Sequence, residues 1–193
     1  ALSAWAKPND ATFWIALRNT IVYALGVLGM SVIPAFLLAW LLNARLRGMS
    51  IFRALIYIPV VASIVGSALV WFWIFNQQSG IFNTTITAFI NFINSIITPL
   101  GASAIVDPNI GWLVTPQWSL FSLILMTSWA TIGYDMVIFL AALQSIPSYL
   151  FEAATVDGAG RWTILRKIVV PLMSSTIFFV LVTNTIAALQ IFA

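Results

Sequence analysis

The side chains able to do chemistry are few, and most stand apart from one another. Five acidic and eight basic residues make up the charged set of the 193-residue chain, with no His and no Cys. Disulfide frameworks, thiol chemistry and most zinc sites are therefore excluded, and so is the side chain most often used as a general base near neutral pH. One carboxylate stands out by its surroundings. Asp135 follows Gly133-Tyr134 inside an otherwise uncharged apolar run, where an ionisable group is a functional candidate by default. Pairing with another helix, or a watery vestibule, accounts for it just as well. Asn184 and Gln190 lie in a later apolar run, where their amides can bond a hydroxylated solute or join helix to helix. Trp129 and Tyr134 offer flat faces to a ring-shaped solute, although in a chain with 14% aromatics most rings pack or anchor. A different group, Glu152-Ala153-Ala154 and Asp157-Gly158-Ala159, combines acidic with small residues just ahead of Arg161, Arg166 and Lys167.

These residues must be positioned by elements that lipid permits. The chain is 62% hydrophobic and 7% charged, with a mean hydropathy of +1.04, whereas soluble domains carry roughly a quarter charged residues. No charge lies between Arg18 and Arg45, or between Arg53 and Asp107. Such runs suffice to cross a hydrocarbon core of about 30 Å, which takes about 20 helical residues. The expected fold is all-α, a polytopic membrane helical bundle forming a single domain over 1–193. Its spans are expected at about 19–42, 54–75, 118–143 and 172–193. Pro34 and Pro59 fall inside spans, where neighbouring helices can satisfy the freed carbonyls. Gly26, Gly29, Ser31 and Ala35 are small enough for close helix packing. The last run is still apolar at Ala193, so the chain is expected to be incomplete at its C-terminus.

Orientation follows from the basic residues. Arg45, Arg47 and Arg53 follow the first span, and Arg161, Arg166 and Lys167 follow the third, while 76–117 has no Lys or Arg. Both basic connections are read as cytoplasmic, with Lys7 and Arg18 the two exceptions against six. The outer loop 76–117 then carries an amphipathic helix: Phe82, Ile86, Phe89, Ile93 and Ile96 form one stripe, and Thr84, Thr87, Asn91, Asn94 and Thr98 the opposite one. That helix serves as a docking surface for an extracytoplasmic partner or as a lid on the bundle. The cytoplasmic loop 144–171 reads as two short helices. The first starts at Pro147, Asp157-Gly158 makes the turn, and the second runs from about Gly160 to Val169. Its small residues let another backbone come close.

Glu152-Ala153-Ala154, three residues, Gly158, nine residues and Ile168-Val169-Val170-Pro171 resemble the signature loop of ABC importer permeases, with Val170 a conservative departure from Leu. Ala141-Ala142-Leu143-Gln144-Ser145-Ile146-Pro147, Asp157-Gly158-Ala159, Arg53 with Pro59, Gly80-Ile81-Phe82-Asn83, Gly111-Trp112-Leu113 and Leu189-Gln190-Ile191-Phe192 are similar to the carbohydrate-uptake branch, of the maltose and glycerol-3-phosphate permease kind. The resemblance implies about six spans, of which this chain holds the second to an incomplete fifth, so a span is missing at the N-terminus as well. It implies a second permease subunit, two ATPase subunits that each accept one signature loop, and an extracytoplasmic solute-binding protein. The site would be a prokaryotic inner membrane. Glu152, Ala153, Ala154, Asp157, Gly158, Ala159, Ile168 and Pro171 would form the ATPase-coupling loop. Glu152 would contact the ATPase or brace the loop, and Gly158 would permit its turn. Trp129, Tyr134, Asp135, Asn184 and Gln190 become candidates along the pathway of a sugar or related polar solute.

No enzyme activity, metal or cofactor is expected of this chain, with ATP and Mg held by the ATPase partners. The G-x-x-x-x-G-K-[ST] phosphate loop does not occur in it. The alternative reading is a subunit of an ion-coupled secondary transporter, which calls for several intramembrane carboxylates or matching broken helices.

Overall fold

A computed structural model describes residues 11–43, 48–100 and 103–191. Arg45, Arg47, Lys7 and Phe192 lie outside them. The helices are α1 (Ala11–Leu42), α2 (Met49–Val61), α3 (Ile64–Ile74), α4 (Ile81–Ile97), α5 (Pro116–Gln144), α6 (Ser148–Val156), α7 (Arg161–Leu172) and α8 (Ser174–Gln190). No strand occurs among the described residues. By length and composition α1 and α5 can each cross a membrane, and the pairs α2–α3 and α7–α8 meet the same test jointly.

The apolar segment 54–75, expected as one helix, is two. Its helix ends at Val61, and Ser63 takes an extended conformation (φ −60°, ψ 134°) before α3 begins. Pro59 has already removed one ladder donor from the preceding turn. The spacing of charges carries no sign of the interruption.

The chain divides into two compact units, Ala1–Val61 with Thr127–Ala193, and Ala62–Met126. The core of the first joins α1, the C-terminal part of α5, and α6 to α8. Val32, Ala35, Ala39 and Leu42 meet Met136, Phe139, Leu140 and Leu143, and the same cluster takes in Ala154, Ile164, Leu165, Val169, Met173 and Val180. Where α2 passes α5 the backbones touch: a Cβ on Gly133 would lie 2.5 Å from the Ile56 carbonyl oxygen. Small residues are what allow such approach without side chains between. Arg53 on α2 donates to the Leu42 carbonyl at 2.6 Å and so closes the C-terminal end of α1.

The second unit is centred on aromatic rings. Trp71, Phe75 and Trp112 are buried with Phe82 and Ile86 packed on them; Trp71 stacks on Phe75 at 5.0 Å, and Phe82 meets Phe75 edge-on at 5.3 Å. The polar stripe of α4 is not left open. Thr87 donates to Asp107, and Asn94 both donates to and accepts from the Ile105 backbone at 2.9 and 2.8 Å. Asn83 is buried, donating to the Gln77 and Ile110 carbonyls at 2.8 and 2.9 Å and accepting from the Trp112 indole at 3.0 Å. The returning segment 105–112 thus lies on α4 and engages Thr87 and Asn94 of the stripe that the sequence offered as a docking surface or a lid.

Candidate functional site

The loop 144–171 is built from its ends inward. Pro147 stands at the N-cap of α6 (φ −60°, ψ 135°), a conformation its ring favours. At the other end Asp157 caps the helix, and Gly158 follows at φ +73°. Ala159 N–H donates to the Ala154 carbonyl at 2.9 Å and Gly158 N–H to that of Thr155 at 3.0 Å. This is a Schellman ending, which needs a left-handed residue at the position Gly158 holds. The chain restarts as α7, whose Leu165–Val169 turn is π-helical. Pro171, two residues on, has no N–H to give to the Lys167 carbonyl and would crowd it, and a widened turn relieves both conditions.

The loop has an inner and an outer side. Ala154 lies within the core cluster, with Phe151, Ala159 and Ile168 packed against it. Glu152, Ala153, Asp157, Gly158 and Pro171 are exposed. On the outer face of α6 stand Tyr149, Glu152, Ala153 and Val156, at helical spacing, and Val156 and Tyr149 are 88% and 65% exposed. A Cβ added to Gly158 would meet nothing within 4 Å. Three of the eight loop residues singled out in the sequence therefore fasten the loop to the spans, and five are exposed, the acidic Glu152 and Asp157 among them.

The five pathway candidates separate in the same way. Asp135 and Asn184 come together: the Asn184 amide donates to both oxygens of the Asp135 carboxylate at 3.0 Å, and the Ser31 hydroxyl donates at 3.2 Å. All three are buried, Asp135 to 1% and Ser31 to 0% exposure, so the cluster ties α1, α5 and α8 at one depth. Tyr23 adds a second tie from α1 to α5, its hydroxyl donating to Thr127 at 2.8 Å. Trp129, Tyr134 and Gln190 are exposed and do not join the carboxylate. Ser31 was legible only as a small packing residue, because its partner lies 104 positions away in sequence. The roles of Asn83, in the first turn of α4, and of Arg53, near the start of α2, were likewise out of reach.

Residues 29–193 match the family described as binding-protein-dependent transport system inner membrane component. The chain is 32% identical over 185 residues to the lactose transport system permease protein of Rhizobium radiobacter, an alignment covering 95% of this chain and 57% of that protein. It is similar in structure to a bacterial ABC transporter involved in the import of the acidic polysaccharide alginate, with TM-score 0.73 and 25% identity over 95% of this chain and 59% of that one. A second structure, a bacterial alginate ABC transporter in complex with an alginate pentasaccharide-bound periplasmic protein, matches with TM-score 0.69 and 26% identity over 91% and 56% of the two chains. The chain spans little more than half the length of these proteins.

Proposed function

Because the chain belongs to the binding-protein-dependent transport system inner membrane component family, we propose that it forms part of the translocation pathway of an ATP-driven sugar importer. It is a multi-pass, all-α membrane protein and a transport component rather than an enzyme. In this reading the solute is a sugar or a related polar molecule, handed over by an extracytoplasmic binding protein. The lactose and alginate transporters named above support that class. A second permease subunit completes the pathway, and two separate ATPase subunits in the cytoplasm of a prokaryotic cell drive it.

The observation that carries the proposal is the two-sided loop. Its outer side presents Tyr149, Glu152, Ala153 and Val156 to a partner, and its inner side belongs to the same packed cluster as α1 and α5. Protein interiors are close-packed and transmit strain, so a displacement applied at Glu152 reaches the spans without slack. ATP-driven closure of the ATPase pair would then reorient the helices around the solute.

The test is ATP hydrolysis in proteoliposomes holding the full permease, its partner permease and the ATPase, with and without sugar-loaded binding protein. Three variants are compared with the wild type. Glu152→Lys reverses the one charge on the outer face of α6. Gly158→Asn keeps a residue type that tolerates the left-handed conformation, while Gly158→Val pays the full αL penalty of about 1–2 kcal/mol. Expected is a rise in hydrolysis with loaded binding protein that is lost in Glu152→Lys and in both Gly158 variants. A Gly158→Asn complex that couples normally would show that the glycine serves its own turn and nothing outside the chain.

A further inference from the structure

Two recesses adjoin along the C-terminal half of α1, where it meets the start of α7. One, of about 590 Å³, is almost wholly apolar and is walled by Leu37, Leu38 and Leu41 of α1 and Leu165 of α7. The other, of about 370 Å³, has a more polar lining that includes Asn43 and Thr155. They share Trp40, Leu41 and Arg161. Among the described residues, no hydrogen bond or ion pair engages the Arg161 guanidinium. Trp162, 76% exposed, stands at the rim of the apolar recess.

We infer that the pair of recesses is a binding site for an anionic phospholipid. A ligand that fills both must be amphiphilic, with a hydrocarbon part for the leucine-walled groove and a polar part for the recess beyond Arg161. Charge complementarity selects its sign. An arginine matches the phosphate fork geometrically, and basic pockets at the membrane-facing flank of spans take acidic headgroups. Indoles such as Trp40 and Trp162 sit by preference at headgroup level, which places the change from hydrocarbon to water at the wall the two recesses share. Arg166 and Lys167, exposed on the same helix, add to the positive field. The assignment of the site to the cytoplasmic leaflet rests on the orientation proposed above. The site itself requires only that α1 lies in lipid.

The test uses the assembled transporter in vesicles of phosphatidylcholine and phosphatidylglycerol in equal parts. In one arm the photoreactive p-benzoylphenylalanine replaces Leu37, and the adduct is identified after irradiation. In the other, mild extraction and native mass spectrometry give the ratio of the two lipids retained. Expected are phospholipid adducts at position 37 and preferential retention of phosphatidylglycerol. Arg161→Gln should reduce that preference about fivefold, the factor for one basic side chain at headgroup level, while Arg161→Lys retains most of it. Leu38→Trp, which fills the groove, should lower retention of both lipids, and excess inorganic phosphate should displace neither. An adduct to protein, whether another segment of this subunit or a partner, would overturn the inference. So would an unchanged lipid ratio in Arg161→Gln. Failure here leaves the coupling of hydrolysis to transport untouched, because that reading is scored by a different assay.

Discussion

The unit built on α1, α5 and α8 and the unit built on α3 and α4 both tie their elements with polar side chains, but against different partners. In the first the contacts run from side chain to side chain between helices, Asp135 with Asn184 and Ser31, Tyr23 with Thr127. In the second, most run from side chain to backbone: Asn83 to Gln77 and Ile110, Asn94 to Ile105, and Asn76 to the N–H groups of Gln78 and Ser79, with Trp112 to Asn83 and Thr87 to Asp107 the two side-chain pairs. The difference follows from what each backbone leaves unpaired. A helix interior satisfies its own amides, so a polar group between helices meets mainly other side chains, and a backbone carbonyl only at a helix end, as Arg53 does at Leu42. The irregular segments 75–80 and 103–112 leave carbonyls and N–H groups that must be met by something, and neutral amides supply both a donor and an acceptor. The uncharged polar residues of 76–117 are thus the frame of that loop, which is held in shape before any partner arrives.

On that contrast, damage should stay within the unit that receives it. The largest effect is expected from Asn83→Leu, which leaves the Trp112 indole and two carbonyls unmet, at about 1–3 kcal/mol for each buried group. Limited proteolysis should then cut within 76–115 while the first unit resists, and equal loss of protection in both units would break the comparison. Next is Gly133→Ala, where a methyl group meets the Ile56 carbonyl across two helices; overpacking of this sort destabilises by about 1–3 kcal/mol. Thermal unfolding of the assembled complex should move down, with the 76–115 region still protected at temperatures below the transition.

A smaller loss of about 1–2 kcal/mol is expected for Asp135→Leu, the range for hydrogen bonds between helices in lipid. Asp135→Asn, which keeps the shape, should recover part of it. Transport that falls in Asp135→Asn at unchanged stability would instead put the carboxylate in contact with solute. The smallest effect concerns pH. The Thr87 hydroxyl, and after it the Asn109 N–H, hold the exposed Asp107 carboxyl below its ordinary value. A depressed carboxyl contributes its stabilisation above the ordinary carboxylate range and loses it as pH falls through the lowered value. The protection of the Asn109 amide against hydrogen exchange, relative to its intrinsic rate at each pH, should therefore fall in acid, and Asp107→Asn should remove that change in protection.

Much of this architecture was legible because lipid leaves few options. Charge-free runs located α1, α5 and α8, and the Asp157-Gly158 pair located the turn between α6 and α7, where only a left-handed residue closes the ending. What could not be read were partners. Asp135 and Asn184 were each conspicuous, yet a pattern of apolar residues says which face is inward and not which polar group waits there, 49 positions later. The stripe of α4 gave the same kind of half-answer: Thr87 and Asn94 were seen to share a face, but its occupant, 105–110, has no periodicity to announce it. The interruption at Ala62-Ser63 was hidden for a third reason, since an apolar composition suits one helix or two.

The Asp135 cluster also has a consequence for how the chain is made. Ribosomes add about 5–20 residues per second, so the 49 residues from Asp135 to Asn184 take roughly 2–10 s to appear. Throughout that interval α5 exists with its carboxylate met by the Ser31 hydroxyl and by no amide from α8. An acid within a span is costly, up to about 2.5–3.5 kcal/mol on insertion scales at the helix centre. The expectation is that α5 stays beside the translocation channel until α8 joins it, the two entering lipid as a unit. Nascent chains arrested just short of Asn184 should crosslink to the channel through α5, and release at that length would show that the acid needs no such companion.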